Sequence, residues 1–162
     1  PGVGAFPEAM KRLKKNKIID VIHEFNDKKK LIIGICLGMQ LLFEKSEEIK
    51  ETQGLSLIKG RVKKFNSNSL NVGWSQIMIK KKQSKQKSFL DLSLNKKSMY
   101  FIHSYHSVPE NKEIISSTSK FKNEIFVSSL SKNNIKAFQF HPEKSGKNGV
   151  KIYKEIFKEL LI

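Results

Sequence analysis

The chain has 162 residues, 31 basic against 15 acidic, and a formal net charge of +16. With 38% apolar residues and one cysteine, it suits a single domain with a sizeable core. A disulfide scaffold, a collagen-like fibre and a disordered chain are excluded, and no apolar run approaches the roughly 18–20 residues of a membrane span. The lone Cys36 and the lack of a charged-then-apolar leader fit a cytoplasmic setting.

The basic excess invites a nucleic-acid or membrane reading, but its composition argues against both. Arg12 and Arg61 are the only arginines, and arginine supplies the bidentate contacts that specific readers favour. The lysine clusters at residues 11–17, 28–30, 80–87 and 95–97 are scattered and carry no interleaved aromatics for stacking. They read as solvated faces. A polyanion-binding module stays as the alternative of another class, since its binding, unlike hydrolysis, would weaken steeply with salt.

Phe6, Met10 and Leu13, then Ile18, Val21, Ile22 and Phe25, recur at helical spacing, with a break near Asn16. Residues 31–35, a short apolar and β-branched run, read as a buried parallel strand. Residues 39–45 read as helix, so Cys36 falls on a sharp strand-to-helix turn. Candidate strands follow at 55–58, 61–65, 74–80, 99–103, 114–119, 125–130 and 135–140, with a loop at 80–88. Residues 149–162 close the chain as a helix. This order predicts a three-layer α/β domain with a mixed sheet.

Two motifs carry chemistry. Gly34-Ile35-Cys36-Leu37-Gly38 has the form G-x-nucleophile-x-G, in which small flanks let a strained turn lift a side chain above the sheet. The helix that starts there is expected to lower the thiol pKa. A buried structural cysteine explains this pentapeptide equally well. In Gln139-Phe140-His141-Pro142-Glu143-Lys144-Ser145, His141 and Glu143 lie two apart, so an extended backbone points both to one side. The carboxylate can then hold the imidazole while its other nitrogen faces a nucleophile. Alone, a strand-end His-x-Glu is an ordinary surface pair; beside a cysteine elbow it supplies base and orienter.

These segments, the elbow continuing to Phe43, resemble the class I (triad) glutamine amidotransferases, and within them the glutaminase subunits of imidazole glycerol phosphate synthases. Pro1-Gly2-Val3-Gly4-Ala5-Phe6, Gly73-Trp74 and Tyr100-Phe101-Ile102-His103-Ser104-Tyr105 agree in order. The resemblance implies an α/β fold with a mixed, mostly parallel central sheet. It makes residues 1–162 one amidotransferase domain lacking the family's first strand and helix. It implies Cys36 as nucleophile, His141 as general base and acid, and Glu143 as orienter. The backbone amides of Val3 and Leu37 would form the oxyanion hole, and Gln40, Glu48, Ser104 and Tyr105 would contact L-glutamine. Ammonia would pass to a cyclase or synthase partner, a β/α barrel, with Trp74 at the interface of a heterodimer. No metal or organic cofactor is implied.

One departure bears on the partner. The family segment Pro-His-Met-Gly-Trp-Asn reads Leu70-Asn71-Val72-Gly73-Trp74-Ser75 here, which admits a paralogue aminating or amidinating nucleotide sugars for surface glycans. A catalytically silent subunit is a further alternative. Other residues take plainer readings. His103 is structural or supports the site, His106 and His23 are solvent-facing, and Met39 and Phe43 pack the helix. Trp74 fits core and interface equally.

Overall fold

The structure, a computed structural model, describes residues 1–2, 4–80 and 89–160. Its helices and strands are α1 (Phe6–Lys15), α2 (Ile18–Asp27), β1 (Ile32–Ile35), α3 (Leu37–Leu41), β2 (Phe43–Ser46), β3 (Thr52–Gln53), β4 (Ile58–Lys64), β5 (Asn71–Gln76), β6 (Met78–Ile79), β7 (Ser98–His103), β8 (Tyr105–Pro109), β9 (Ile115–Phe121), β10 (Glu124–Lys132), β11 (Ile135–Phe138) and α4 (Gly146–Leu160). The expected break in the first amphipathic run falls at Lys17, whose φ of 55° ends one helical path before the next begins. The loop expected at 80–88 lies, apart from Lys80, outside the described residues, as do the last two residues of the closing helix.

The main sheet runs β1-β11-β10-β9-β6. β1 and β11 pair in parallel, as the apolar run at 31–35 predicts. β9, β10 and β11 are successive antiparallel neighbours. Two-residue turns at Lys122 and Asn133, both with φ of 51°, join them, and so short a connection permits only antiparallel pairing. A second sheet runs β3-β2-β4-β8, with β2 and β4 parallel, and β5 and β7 form an antiparallel ribbon. The α/β class and mixed sheet are as expected, but antiparallel pairs predominate among the described strands.

Alternation along β10 and β11 divides the core between two faces. Val127, Leu130, Ile135 and Ala137 pack with Phe6 and Met10 of α1 and Met39 and Leu41 of α3. Phe126 and Phe138 pack with Phe101 of β7, Phe140, and Ile152 and Ile156 of α4. These are the three predicted layers. α2 buries no residue completely. Its Val21, Ile22 and Phe25 line an apolar groove of about 380 Å³ with Leu31, Ile32 and Ile33 along the β1 edge.

Three local expectations are corrected. Helix ends at Leu41 rather than running to residue 45, because the chain leaves Leu42 to pair β2 with β4. Residues 55–57 are not strand: the Leu55 and Leu57 amides donate to the Leu41 and Leu42 carbonyls, and only Ile58 enters β4. β8 has no counterpart in the sequence reading. It pairs antiparallel with β4 and carries His106 inward, so His106 is buried rather than solvent-facing. Its ring stacks on Phe65, centroids 4.8 Å apart. Met39 and Phe43 are fully buried, as expected.

Burial, reinforced by Lys63, pushes the His106 pKa down from 6.5 to about 4. A histidine depressed in the fold binds its proton more readily when unfolded. It therefore costs no stability above about pH 6.5 and destabilises progressively as pH falls toward 4. His106→Phe is expected to flatten that loss, which urea titrations between pH 7 and 4 measure. Unchanged pH dependence would show that His106 does not contribute.

Candidate active site

β1 delivers Cys36 to one end of the sheet, where its amide donates to the Phe138 carbonyl at 2.7 Å and it bridges in parallel to Gly2. Its backbone sits at φ 52°, ψ −109°, a sparsely populated conformation costing on the order of 1–3 kcal/mol. That is the strained elbow the pentapeptide predicts. Of its two glycines, Gly34 is the one sterically required: a Cβ there would lie 2.9 Å from the backbone of Gly38 and Met39.

The thiol is buried. Burial raises its pKa to about 11, opposed by the Leu37 amide and by Gln139, with Glu143 adding to the rise. The expected lowering by the helix is therefore overridden. α3 is only five residues long, and desolvation of a thiolate outweighs so short a row of amides. The thiol Sγ donates to the Ile102 carbonyl at 3.7 Å.

His141 follows β11 and is almost wholly buried. Its amide donates to the Tyr100 carbonyl at 2.8 Å, two residues along β7 from the carbonyl that Cys36 meets. Its Nδ1 lies 2.6 Å from Oε1 of Glu143, and its Nε2 has no hydrogen-bond partner. β7 thus brings the two motifs to the same strand, and the Glu143 charge is felt at the thiol. In this arrangement Sγ and Nε2 are not hydrogen-bonded to each other.

Ser145, which the sequence reading gave no role, clamps this turn. Its hydroxyl donates to the His141 carbonyl at 2.6 Å and accepts from the Tyr100 amide at 3.0 Å. Beneath it, α4 crosses so closely that a Cβ on Gly149 would lie 1.8 Å from the Pro142 carbonyl oxygen. Gly149→Ala must displace the turn that carries His141 and Glu143. We expect it to destabilise the protein by about 3 kcal/mol or more and to lower turnover. Urea denaturation with a glutamate-release assay checks both; a midpoint within error of wild type would contradict the close approach.

The residues expected to contact glutamine lie on α3, in the loop after β2 and at the junction of β7 and β8. Gln40 of α3 is buried, and its Nε2 donates to the Tyr105 carbonyl at 2.8 Å and to Oε1 of Gln139 at 3.1 Å. Glu48 accepts from the Phe6 amide at 2.8 Å and so caps α1, whose N-cap Ala5 has no side chain able to do so. Ser104 and Tyr105 are half-buried at the junction of β7 and β8. The Leu37 amide reaches Cys36; Val3 lies outside the described residues. Trp74 is 58% exposed on β5 and meets Tyr100 edge-on. Leu70 and Val72 beside it are also exposed, so the core reading of Trp74 is excluded. His103 is buried between Asn71 and the Tyr105 carbonyl, where it meets the carbonyl that also holds Gln40. Among the described residues no cluster of three potential metal ligands occurs.

The family profile for class-I glutamine amidotransferases matches residues 1–160. The chain belongs to the class-I glutamine amidotransferase family. The amidotransferase domain is 39% identical over 159 residues to the imidazole glycerol phosphate synthase subunit HisH of Thermotoga maritima, covering 98% of this chain and 73% of that protein. It is 46% identical over 151 residues to HisH of Pyrococcus furiosus, covering 93% and 75%. Among solved structures, its fold resembles PurLQS from Thermotoga maritima with a TM-score of 0.67 at 18% identity, covering 89% of this chain and 68% of that one. A glutamine amidotransferase of the same organism gives 0.63 at 18% identity, covering 99% and 60%. Family membership makes the domain an enzymatic glutaminase subunit.

Proposed function

We propose that this amidotransferase is the glutaminase subunit of an imidazole glycerol phosphate synthase, serving histidine biosynthesis in the cytoplasm. It would hydrolyse L-glutamine through Cys36, His141 and Glu143 and pass ammonia to a cyclase barrel. The observation that carries the chemistry is a buried imidazole held by a carboxylate at 2.6 Å, with Nε2 unpartnered, at the sheet end where a cysteine occupies a strained elbow. The similarity to HisH proteins supports the pathway.

With the thiol pKa raised to about 11 by burial, Cys36 stays protonated at neutral pH. Proton removal must therefore accompany attack. His141 Nε2 takes the Sγ proton as sulfur bonds to the side-chain amide carbon of glutamine. The oxyanion develops beside the Leu37 amide, which reaches Cys36. His141 returns the proton to the amide nitrogen, the C–N bond breaks, and ammonia leaves a γ-glutamyl thioester. Water, losing a proton to the same imidazole, then releases glutamate and the thiol. Glu143 holds the Nδ1–H tautomer and balances the charge on the ring while it is protonated.

The exposed Leu70, just before β5, and Val72 and Trp74 on it fit an apolar partner surface. A second reading keeps this chemistry but changes the acceptor to a nucleotide sugar; the Asn71 and Val72 departures within this segment favour it. The test mixes the full-length protein with its cyclase partner and measures glutamate release with and without the imidazole pathway's nucleotide acceptor. Acceptor-stimulated release supports the histidine pathway. Release only with a nucleotide-sugar acceptor and its synthase replaces it with the second reading. Absence of release in any combination overturns the glutaminase.

A further inference from the structure

The proposed triad makes no use of Gln139, although it is the side chain that touches the sulfur from within the core. Gln139 directly follows β11 and is fully buried; its amide donates to the Ser128 carbonyl at 2.9 Å. Its Nε2 points at Cys36 Sγ at 3.7 Å, and its Oε1 accepts from Gln40 Nε2 at 3.1 Å. A buried primary amide has two faces, and the neighbours decide which meets the sulfur. Here Gln40 presents a donor, so Gln139 must turn its oxygen to Gln40 and its N–H toward Cys36.

The orientation of Gln40 is fixed in turn. Its Nε2 also donates to the Tyr105 carbonyl at 2.8 Å, which accepts as well from His103 Nδ1 at 2.8 Å. A carbonyl only accepts, so His103 carries its proton on Nδ1. Its Nε2 then accepts from Asn71 Nδ2 at 3.1 Å. Burial keeps His103 neutral, its pKa pushed down from 6.5 to about 3. Donor and acceptor roles are therefore consistent at every link from Asn71 on β5, the strand exposing Val72 and Trp74, to the sulfur of Cys36.

Resting on the reading of Cys36 as the nucleophile, we infer that Gln139 is a positioning residue for the reaction. Its N–H aims Sγ and stabilises the thiolate as the proton leaves, and Gln40, its own Nε2 held by the Tyr105 carbonyl, keeps it in the donor orientation. In a buried site a hydrogen bond to an ion is stronger than one to its neutral form. The bond tightens as negative charge forms on sulfur, so its effect falls on turnover rather than on glutamine binding. The Leu37 amide and Gln139 act on the sulfur in the same sense, whereas the Glu143 carboxylate acts against them.

The experiment uses the full-length protein in complex with its synthase partner. Gln139→Leu removes the donor at similar volume. Gln139→Glu keeps the shape, replaces the donor with a carboxyl group, and remains decisive if the leucine variant fails to fold. Three readings are taken: the pH dependence of Cys36 alkylation by iodoacetamide, kcat and KM for glutamine, and synthesis from added ammonium. The expected result is an alkylation midpoint raised by about one pH unit, equivalent to about tenfold less thiolate at a given pH. In Gln139→Glu it rises further. kcat falls about tenfold or more, KM stays within about twofold, and ammonium-dependent synthesis is retained. An unchanged midpoint with unchanged kcat in either folded variant overturns the inference. Loss confined to KM assigns Gln139 to substrate binding and also overturns it. If wild type releases no glutamate, the glutaminase reading itself has failed, which is a separate outcome.

Discussion

Cys36→Ala is expected to abolish glutamine-dependent turnover in the complex while leaving ammonium-dependent synthesis intact. The substitution removes the only thiol in the chain and with it the covalent path. Neither His141 nor a water positioned for the second step can replace a nucleophile at an elbow built to present it. The fall should be on the order of 10⁴-fold or more. The fold should tolerate the change, because the backbone requirement at φ 52° remains and alanine is smaller than cysteine. Intact ammonium-dependent synthesis is the internal control: it shows that the partner's own site is assembled and that only the ammonia source is lost. Glutamine-dependent synthesis near the wild-type rate in Cys36→Ala would remove the basis for the triad.

The second large effect concerns the pair at the end of β11. His141→Ala should lower kcat for glutamine on the order of 10²–10⁴-fold, because burial, the largest influence on the thiol, holds it at about 11. A free thiol with that pKa is almost wholly protonated at neutral pH, so losing the base leaves little thiolate to attack. Glu143→Gln tests the orienter separately. Glu143 Oε1 accepts from Nδ1 at 2.6 Å; a glutamine amide that turns its N–H₂ to this nitrogen favours the opposite tautomer, with the proton on Nε2 facing the sulfur. We expect a drop in kcat with KM nearly unchanged, measured by glutamate release under saturating glutamine. The Glu143 side chain is 42% exposed, so its charge is partly screened and the loss should be smaller than that of His141→Ala.

The parts of this site legible in the sequence were those written in local spacing. Gly34-Ile35-Cys36 could be read as an elbow because a β-branched run gives way to a glycine-flanked cysteine, and the structure places Cys36 at positive φ. His141 and Glu143 could be read as a pair because an interval of two places side chains together on extended backbone. What stayed hidden depends on pairing between distant strands. Phe43 continues the apolar helical spacing of Met39, yet the partnership of β2 with β4 draws it into a sheet. His106 reads as solvent-facing until β8 pairs with β4 and turns it inward.

The thiol pKa went the other way from the sequence expectation for a similar reason. Helix direction is visible in sequence, but the desolvation that overrides it is assembled from β7, β11 and α3. Gln139 did leave a signal, a polar residue set between Phe138 and Phe140. Its meaning appeared only once Cys36 and Gln40 were beside it. Ser145 left none beyond its place in the motif, because the amide it accepts from belongs to Tyr100 on another strand.

The central claim is that glutamine is opened by covalent attack from Cys36, and acid-quench mass spectrometry tests it most directly. The full-length protein and its partner would turn over glutamine, be quenched in acid within a few turnovers, and be digested for peptide analysis. The account predicts a γ-glutamyl group on the peptide containing Cys36, absent from Cys36→Ala. Glutamine consumed at the full rate with no acyl group on that peptide at any quench time, and equally in Cys36→Ala, would contradict it.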